Sequence, residues 1–241
     1  AVAVGNDGVI VITEDAGENW ISVASPKSDI ANKLLKVHTY AGGEAVTVGE
    51  MGAVLRSKDY GKTWSRLKAE CSCELDDIFM NDIVKTVDGT YYVAAEYGRI
   101  FTTRDDGVTW EEEQSESPNS FGAIDAKNEN EITIVGLAGV TVSTMDAGET
   151  WTYIAPSVSG MTEHMMDVQW SESIDRWVAI GNKGKWLTFT SDLKDFEPMN
   201  ISITDYTSHS EMEIVDGKAL AVGATVGLLD LKSGKWTLLH E

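Results

Sequence analysis

The octet SKDYGKTW, Ser57 to Trp64, occurs four times in this chain with one pattern of residue types. The other copies are TEDAGENW at 13–20, TRDDGVTW at 103–110 and TMDAGETW at 144–151. Each copy has Ser or Thr first, Asp third, Gly fifth and Trp eighth. Four matches to so specific a pattern indicate a repeated structural unit.

A second pattern precedes each octet: an apolar strand, a short turn that ends in glycine, and another strand, as in VTVGEMGAVL at 46–55. The closing glycines, spaced 41 to 46 residues apart, are Gly8, Gly52, Gly98, Gly139, Gly184 and Gly227. The last two repeats keep decayed octets, TSDLKDF at 190–196 and DLKSGKW at 230–236. A period of 40 to 50 residues with four short strands is typical of a β-propeller blade.

The sequence therefore predicts an all-β, six-bladed β-propeller. Strands A to D of the second blade are predicted at Leu34–Tyr40, Glu44–Gly49, Ala53–Ser57 and Thr63–Lys68. Later inner strands are predicted near Asp82–Thr86, Phe121–Ala126, Met165–Trp170 and His209–Val215. We expect one domain over 1–241, with blades at about 1–25, 26–70, 71–115, 116–157, 158–200 and 201–241. The first blade lacks an inner strand in this chain, and we expect the chain to be part of a longer polypeptide.

The octet itself is predicted to fasten the hairpin between the third and fourth strands. Its Asp can accept hydrogen bonds from turn N–H groups, its Gly can take a positive φ, and its Trp can pack between blades. The residues assigned this structural role are Asp15, Gly17, Trp20, Asp59, Gly61, Trp64, Asp105, Gly107, Trp110, Asp146, Gly148 and Trp151.

These octets resemble the Asp-box, or bacterial neuraminidase repeat, of sialidase-like propellers. The longer unit, VTVGEMGAVLRSKDYGKTW at 46–64, resembles the photosystem II stability/assembly factor family and its non-photosynthetic relatives. The resemblance covers about 1–151 well and 152–241 weakly. It implies a propeller with Asp-box hairpins that is not an enzyme and that binds another protein while a membrane complex is assembled.

Composition limits the partners. With 39 acidic and 19 basic residues the formal charge is −20, which disfavours nucleic acids and anionic membrane surfaces. No apolar run is long enough for a membrane span, so direct insertion is not expected. Cys71 and Cys73 are predicted to be free thiols in a loop, and neither a metal nor a cofactor is expected. An extracytoplasmic location is favoured: periplasmic, associated with a membrane complex, or on a virion or cell surface.

The residues argue against a sialidase. Such an enzyme needs three arginines that converge on the substrate carboxylate, and of the five arginines only Arg99 is predicted on the ligand face, where B–C turns and D–A loops lie. A glycosidase with two carboxylates remains an alternative, with Asp76, Asp77, Asp82, Glu163, Asp167 and Asp205 as candidates. His164 and Asp167 could also form a metal or base pair.

We therefore predict a non-catalytic protein-binding or assembly module that uses its funnel face. Apolar, aromatic and Met residues gather at the predicted B–C turns and D–A loops, and such residues are enriched at protein interfaces. The predicted partner-binding residues are Met51, Asn81, Tyr97, Arg99, Phe121, His164, Trp186 and His209. The alternative is an adhesion propeller of a virion or cell surface that binds a glycan or protein receptor.

Overall fold

The computed structural model describes residues 1–26, 33–67, 78–199, 201 and 207–240. The chain forms two compact units. Unit 1 comprises residues 1–85 with 89–113, and unit 2 comprises residues 86–88 with 114–241. The predicted single domain stays a prediction, and Cys71, Cys73, Asp76, Asp77 and Asp205 lie outside the described residues.

Unit 1 contains three antiparallel sheets. Blade 1 has three strands, β1 (Val2–Val4), β2 (Ile10–Ile12) and β3 (Ile21–Val23). Blade 2 has four, β4 (Leu34–Tyr40), β5 (Glu44–Gly49), β6 (Ala53–Ser57) and β7 (Ser65–Arg66). Blade 3 has four, β8 (Met80–Lys85), β9 (Tyr91–Ala95), β10 (Arg99–Thr103) and β11 (Glu111–Gln114).

Unit 2 also contains three sheets, each with four antiparallel strands. Blade 4 is β12 (Phe121–Ala126), β13 (Ile132–Gly136), β14 (Thr141–Thr144) and β15 (Thr152–Ile154). Blade 5 follows a short helix, α1 (Pro156–Ser159), and is β16 (Met165–Ser171), β17 (Arg176–Gly181), β18 (Trp186–Phe189) and β19 (Phe196–Met199). Blade 6 is β20 (His209–Val215), β21 (Lys218–Gly223), β22 (Val226–Asp230) and β23 (Lys235–His240).

These six sheets are the six blades that the repeat predicts, so the all-β, six-bladed β-propeller class is confirmed. The predicted bounds of β4, β5 and β6 match the structure residue for residue. Within the described part of the chain, no helix is long and apolar enough to cross a membrane.

The core lies between neighbouring blades, where the central strands are buried on both faces. In unit 1 two of the octet tryptophans, Trp64 and Trp110, pack in clusters that include residues of the preceding blade. Trp64 joins a cluster with Ile10 and Val4 of blade 1, and Trp110 joins one with Val46 and Val93. Burial of large aromatic side chains supplies much of the packing energy of such sheets.

Polar side chains on the first strands also connect neighbouring blades. In unit 2, the Asp125 carboxylate accepts the Trp170 N–H at 2.8 Å, and the Asp167 carboxylate accepts the Met212 N–H at 2.7 Å. In unit 1, His38 Nε2 lies 2.7 Å from the buried Asp82 carboxylate. The carboxylates of these three first-strand aspartates are thus paired across blade boundaries.

Candidate functional site

The B–C turn, which joins the second and third strands of a blade, repeats one backbone conformation. Its third residue takes a positive φ in the first five blades, although none of these residues is glycine. The residues and their φ angles are Asp7 57°, Met51 55°, Tyr97 58°, Ala138 54° and Lys183 58°. Since side chains from Ala to Tyr occupy this position, the fold fixes the backbone there and leaves the side chain free to differ.

Two B–C turns of unit 1 form an apolar surface. Gly52 N–H donates to the Ile78 carbonyl at 2.9 Å, which ties the turn of blade 2 to the segment before β8. Phe79 and Glu96 then exchange two hydrogen bonds, each of 3.1 Å. These bonds bring together Met51, Phe79 and Tyr97, which we call the turn patch.

The turn patch is accessible and held by its backbone. Tyr97 is 61% exposed and Phe79 is 37% exposed, while Met51 is half-buried. The Met51 carbonyl accepts a hydrogen bond from Arg66 Nη2 at 2.9 Å. An exposed aromatic pair on a fixed backbone is suited to contact a partner, because little conformational entropy is lost on binding.

Two further predicted residues lie in blade 3. Arg99 donates from Nε and Nη2 to both carboxylate oxygens of Glu112, at 2.7 and 2.8 Å, and its guanidinium lies over the Phe101 ring at 5.0 Å. Asn81 is half-buried within β8. Arg99 is therefore held within its own blade by a two-bond ion pair.

The structure buries three residues predicted to bind a partner. Phe121, Trp186 and His209 are each at most 1% exposed. The Trp186 ring packs edge-on against His209 and Trp236, and His209 Nε2 lies 3.2 Å from Thr225 Oγ1. Because these side chains are inside unit 2, they cannot contact a partner, and the expectation is corrected.

His164 is exposed, but its ring makes a hydrogen bond between two blades. Its Nδ1 accepts the Ala138 N–H at 2.9 Å, which connects the B–C turn of blade 4 to the segment before β16. Ser208 has the same role one blade later, since its Oγ accepts the Lys183 N–H at 3.2 Å. The sequence did not indicate this role, because an acceptor on a loop has no pattern of its own.

The sequence analysis also did not single out Glu96 and Glu112. Glu96 Oε2 accepts the Phe79 N–H, and Glu112 holds Arg99. Glu50 stands at the same turn position in blade 2, and its Oε2 accepts the Lys33 N–H at 3.2 Å. The sequence signal that could have identified Glu50 and Glu96 is a Glu directly before the positive-φ residue, in GEMG at 49–52 and in EYG at 96–98.

The four intact octets share one hydrogen-bond pattern. In blade 2, Ser57 Oγ donates to Asp59 Oδ1 at 2.8 Å and accepts the Gly61 N–H at 2.9 Å. The Asp59 carboxylate also accepts the Thr63 N–H at 2.8 Å and the Thr63 hydroxyl at 2.6 Å. The bonds from Thr63 lower the pKa of Asp59 from 3.8 to about 2. These carboxylates are thus occupied by their own hairpins.

The indole groups of the octets differ in their hydrogen bonds and in their exposure. Trp64 Nε1 donates to the Gly61 carbonyl at 2.8 Å, which places the indole N–H on the hairpin it closes. Trp110 is buried, with no acceptor for its Nε1 among the described residues, and Trp20 is half exposed. The carboxylate bonds are therefore the constant part of the octet.

Other charged residues are also engaged. All five arginines have partners: the Arg56, Arg99, Arg104 and Arg176 guanidinium groups pair with Asp106, Glu112, Glu111 and Asp195, and Arg66 donates to a carbonyl. The described residues contain no group of three His, Cys, Asp or Glu placed to hold a metal.

Comparisons with known proteins give a consistent picture. A family model described as "Photosynthesis system II assembly factor YCF48" matches residues 1–125. The photosystem II assembly lipoprotein Ycf48 of Synechococcus sp. (strain CC9902) is 22% identical over 227 residues, which cover 94% of this chain and 67% of that protein. The photosystem II assembly protein Ycf48 of Thermosynechococcus vestitus (strain NIES-2133 / IAM M-273 / BP-1) is 26% identical over 198 residues, 80% of this chain and 54% of the relative.

A solved structure described as "YCF48 bound to D1 peptide" superposes with a TM-score of 0.69 at 15% identity, covering 92% of this chain and 70% of the other. That likeness shows the fold. The chain spans about two thirds or less of the curated relatives it matches.

Proposed function

Because the chain belongs to the photosynthesis system II assembly factor YCF48 family, we propose that it is a non-catalytic module that binds a protein segment during the assembly of a membrane complex. The observation that carries the proposal is the turn patch, in which Tyr97 and Phe79 are exposed beside Met51 on a hydrogen-bonded backbone. Aromatic and Met side chains are the types enriched in the centres of protein interfaces.

The charged residues support binding rather than catalysis. Asp82 and Asp167, two candidates for a glycosidase pair, are buried, and each accepts a backbone N–H. Arg99, the one arginine predicted on the ligand face where a sialidase needs three, pairs with Glu112. A catalytic acid or base must reach a substrate proton, and a buried carboxylate occupied by backbone bonds does not.

Relatives support a protein partner and its location. One relative is named an assembly lipoprotein, and a structure of similar fold is described as bound to D1 peptide. We extend both to this chain as part of the proposal: its partner is a peptide segment of a membrane protein, and it acts outside the cytoplasm beside a membrane.

The test uses two matched tyrosines of unit 1. Tyr97 and Tyr60 are 61% and 70% exposed, and both take a positive φ in a tight turn, but Tyr60 belongs to an octet hairpin instead of a B–C turn. A photo-crosslinking phenylalanine analogue is placed at either position in the full chain, which is then irradiated in the cells that make it. Cross-linked proteins are identified by mass spectrometry.

We expect one defined membrane protein to be captured from position 97 and not from position 60. Capture of the same protein from both positions, from position 60 alone, or from neither position would contradict the proposal.

A further inference from the structure

A carboxylate adjoins the turn patch and is in no ion pair within the described part of the chain. Glu96 directly precedes Tyr97 in the B–C turn of blade 3, and its Oε2 accepts the Phe79 N–H at 3.1 Å. That bond uses one oxygen, and Oε1 accepts no hydrogen bond from the described residues. The carboxylate therefore keeps acceptor capacity beside both exposed aromatic residues of the patch.

The arginines that contact this part of unit 1 are already occupied. Arg99 donates from Nε and Nη2 to both carboxylate oxygens of Glu112. Arg66 Nη2 donates to the Met51 carbonyl oxygen at 2.9 Å. Neither guanidinium group makes an ion pair with Glu96, so the charge of this carboxylate is not balanced by either arginine.

The equivalent carboxylate of blade 2 has a different neighbour. Glu50 Oε2 accepts the main-chain N–H of Lys33 at 3.2 Å, which is the bond that Glu96 makes with Phe79. An exposed lysine thus stands beside Glu50, whereas an exposed phenylalanine stands beside Glu96. Blade 3 therefore combines an acceptor of full negative charge with aromatic surface and has no lysine at this position.

The charge of Glu96 narrows the chemistry of a segment that covers the patch. A purely apolar segment would remove water from the carboxylate and supply no donor in return, which costs free energy. An acidic segment would add repulsion between like charges. A lysine or arginine side chain would donate to Oε1, and its charge would be attracted to the face of an aromatic ring.

We infer that the partner segment carries a lysine or arginine that pairs with Glu96, while its apolar neighbours contact Met51, Phe79 and Tyr97. The inference rests on the proposed function, because it gives the chemistry of the segment that the turn patch binds. Complementary charges contribute to the choice of partner more than to affinity. The expected effect is therefore a preference for a cationic segment over a neutral segment of similar size.

The test uses the full chain and three synthetic peptides of the sequence Gly-Ser-X-Leu-Phe-X-Leu-Ser-Gly, in which both X residues are Lys, Gln or Glu. NMR titration at low salt gives the Kd of each peptide. We expect the Lys peptide to bind with a Kd on the order of 1 mM or tighter, about fivefold more tightly than the Gln peptide. The Glu peptide should bind more weakly than either.

Glu96→Gln separates the charge from the placement of Phe79, because glutamine keeps an oxygen acceptor for the Phe79 N–H. This variant should reduce the preference for the Lys peptide over the Gln peptide to about twofold or less. Glu129→Gln removes the same charge from an exposed acid between β12 and β13 and should leave the preference unchanged. Tyr97→Ala should weaken the binding of both peptides.

Circular dichroism and urea unfolding establish that each variant folds. Equal affinity for the three peptides, with loss of binding in Tyr97→Ala, would overturn the inference and leave the turn patch as a binding site. A preference for the Lys peptide that Glu96→Gln does not reduce, or that Glu129→Gln reduces equally, would also overturn it.

Two further results would count against the inference: Lys-peptide binding that Tyr97→Ala leaves unchanged, and no Lys-peptide binding at about ten times the expected Kd. Failure of the proposed function is measured separately, as the absence of a protein captured from position 97.

Discussion

The two ends of each blade differ in what is repeated. At the octet end, four hairpins repeat the side chains as well as the backbone, and Asp15, Asp59, Asp105 and Asp146 all accept the same bonds. At the B–C turn end, the backbone repeats but the third side chain changes from blade to blade. The octet end is therefore a structural fastening, and the turn end is where a blade can acquire a specific contact.

The largest expected effect tests how firmly the turn backbone is fixed. A Cβ on Gly181 would lie 2.2 Å from the His164 carbonyl oxygen. Because the Cβ is fixed to the main chain and the oxygen is a main-chain atom, the clash cannot be relieved by a side-chain rotation. Gly181→Ala should lower the free energy of unfolding by about 3 kcal/mol. Urea titration measures this loss.

Gly5 is the matched control for Gly181. It has the same turn position in blade 1, and nothing lies within 4 Å of its Cβ site. Gly5→Ala should leave the free energy of unfolding within about 0.5 kcal/mol of the original chain. Equal losses of unfolding free energy in the two variants would show that the clash with the His164 carbonyl oxygen does not cause the destabilisation.

The next prediction distinguishes a stabilising role of His164 from a role in binding a partner. His164→Ala removes the acceptor of the Ala138 N–H and should reduce the free energy of unfolding by about 1 kcal/mol. The same variant should leave capture of a partner from position 97 unchanged. Loss of capture with no loss of stability would return His164 to the binding surface.

A smaller effect concerns the octet carboxylates at acid pH. The pKa values of Asp15, Asp59 and Asp105 are lowered from 3.8 to about 2, first by the side-chain hydrogen bonds from Asn19, Thr63 and Thr109. A pKa lowered by folding gives stability that is present above 3.8 and is lost as the pH falls through 2. The urea midpoint should therefore fall over this window.

Asp59→Asn removes one of these titrating groups. Its urea midpoint is expected to be lower at neutral pH, because the octet loses a charged acceptor, and to change less between pH 4 and pH 2 (about the window set by the shifted pKa) than that of the original chain. Parallel falls in the two proteins would mean that Asp59 does not contribute to the acid dependence.

The repeat predicted the fold because blade strands and octets follow from local patterns. The octet bonds need only Ser or Thr, Asp and Gly at fixed spacing, and β12 and β20 begin at their predicted residues. The direction of single side chains was harder to predict. β12 and β20 have an irregular register directly after Phe121 and His209, and such a bulge changes which face the next residue occupies. Trp186 and His209 are buried because they pack against each other between blades 5 and 6, and Phe121 is buried within unit 2, which no local pattern indicated.

The central claim is that the turn end binds a partner and the octet end does not, and the affinity of the partner captured at position 97 tests it most directly. Its Kd is measured for the original chain, Tyr97→Ala and Tyr60→Ala, with urea unfolding as a check on stability. Tyr97→Ala should weaken binding at least about tenfold with unchanged stability, and Tyr60→Ala should leave the Kd unchanged. Equal weakening by both variants, or weakening by Tyr60→Ala alone, would contradict the account.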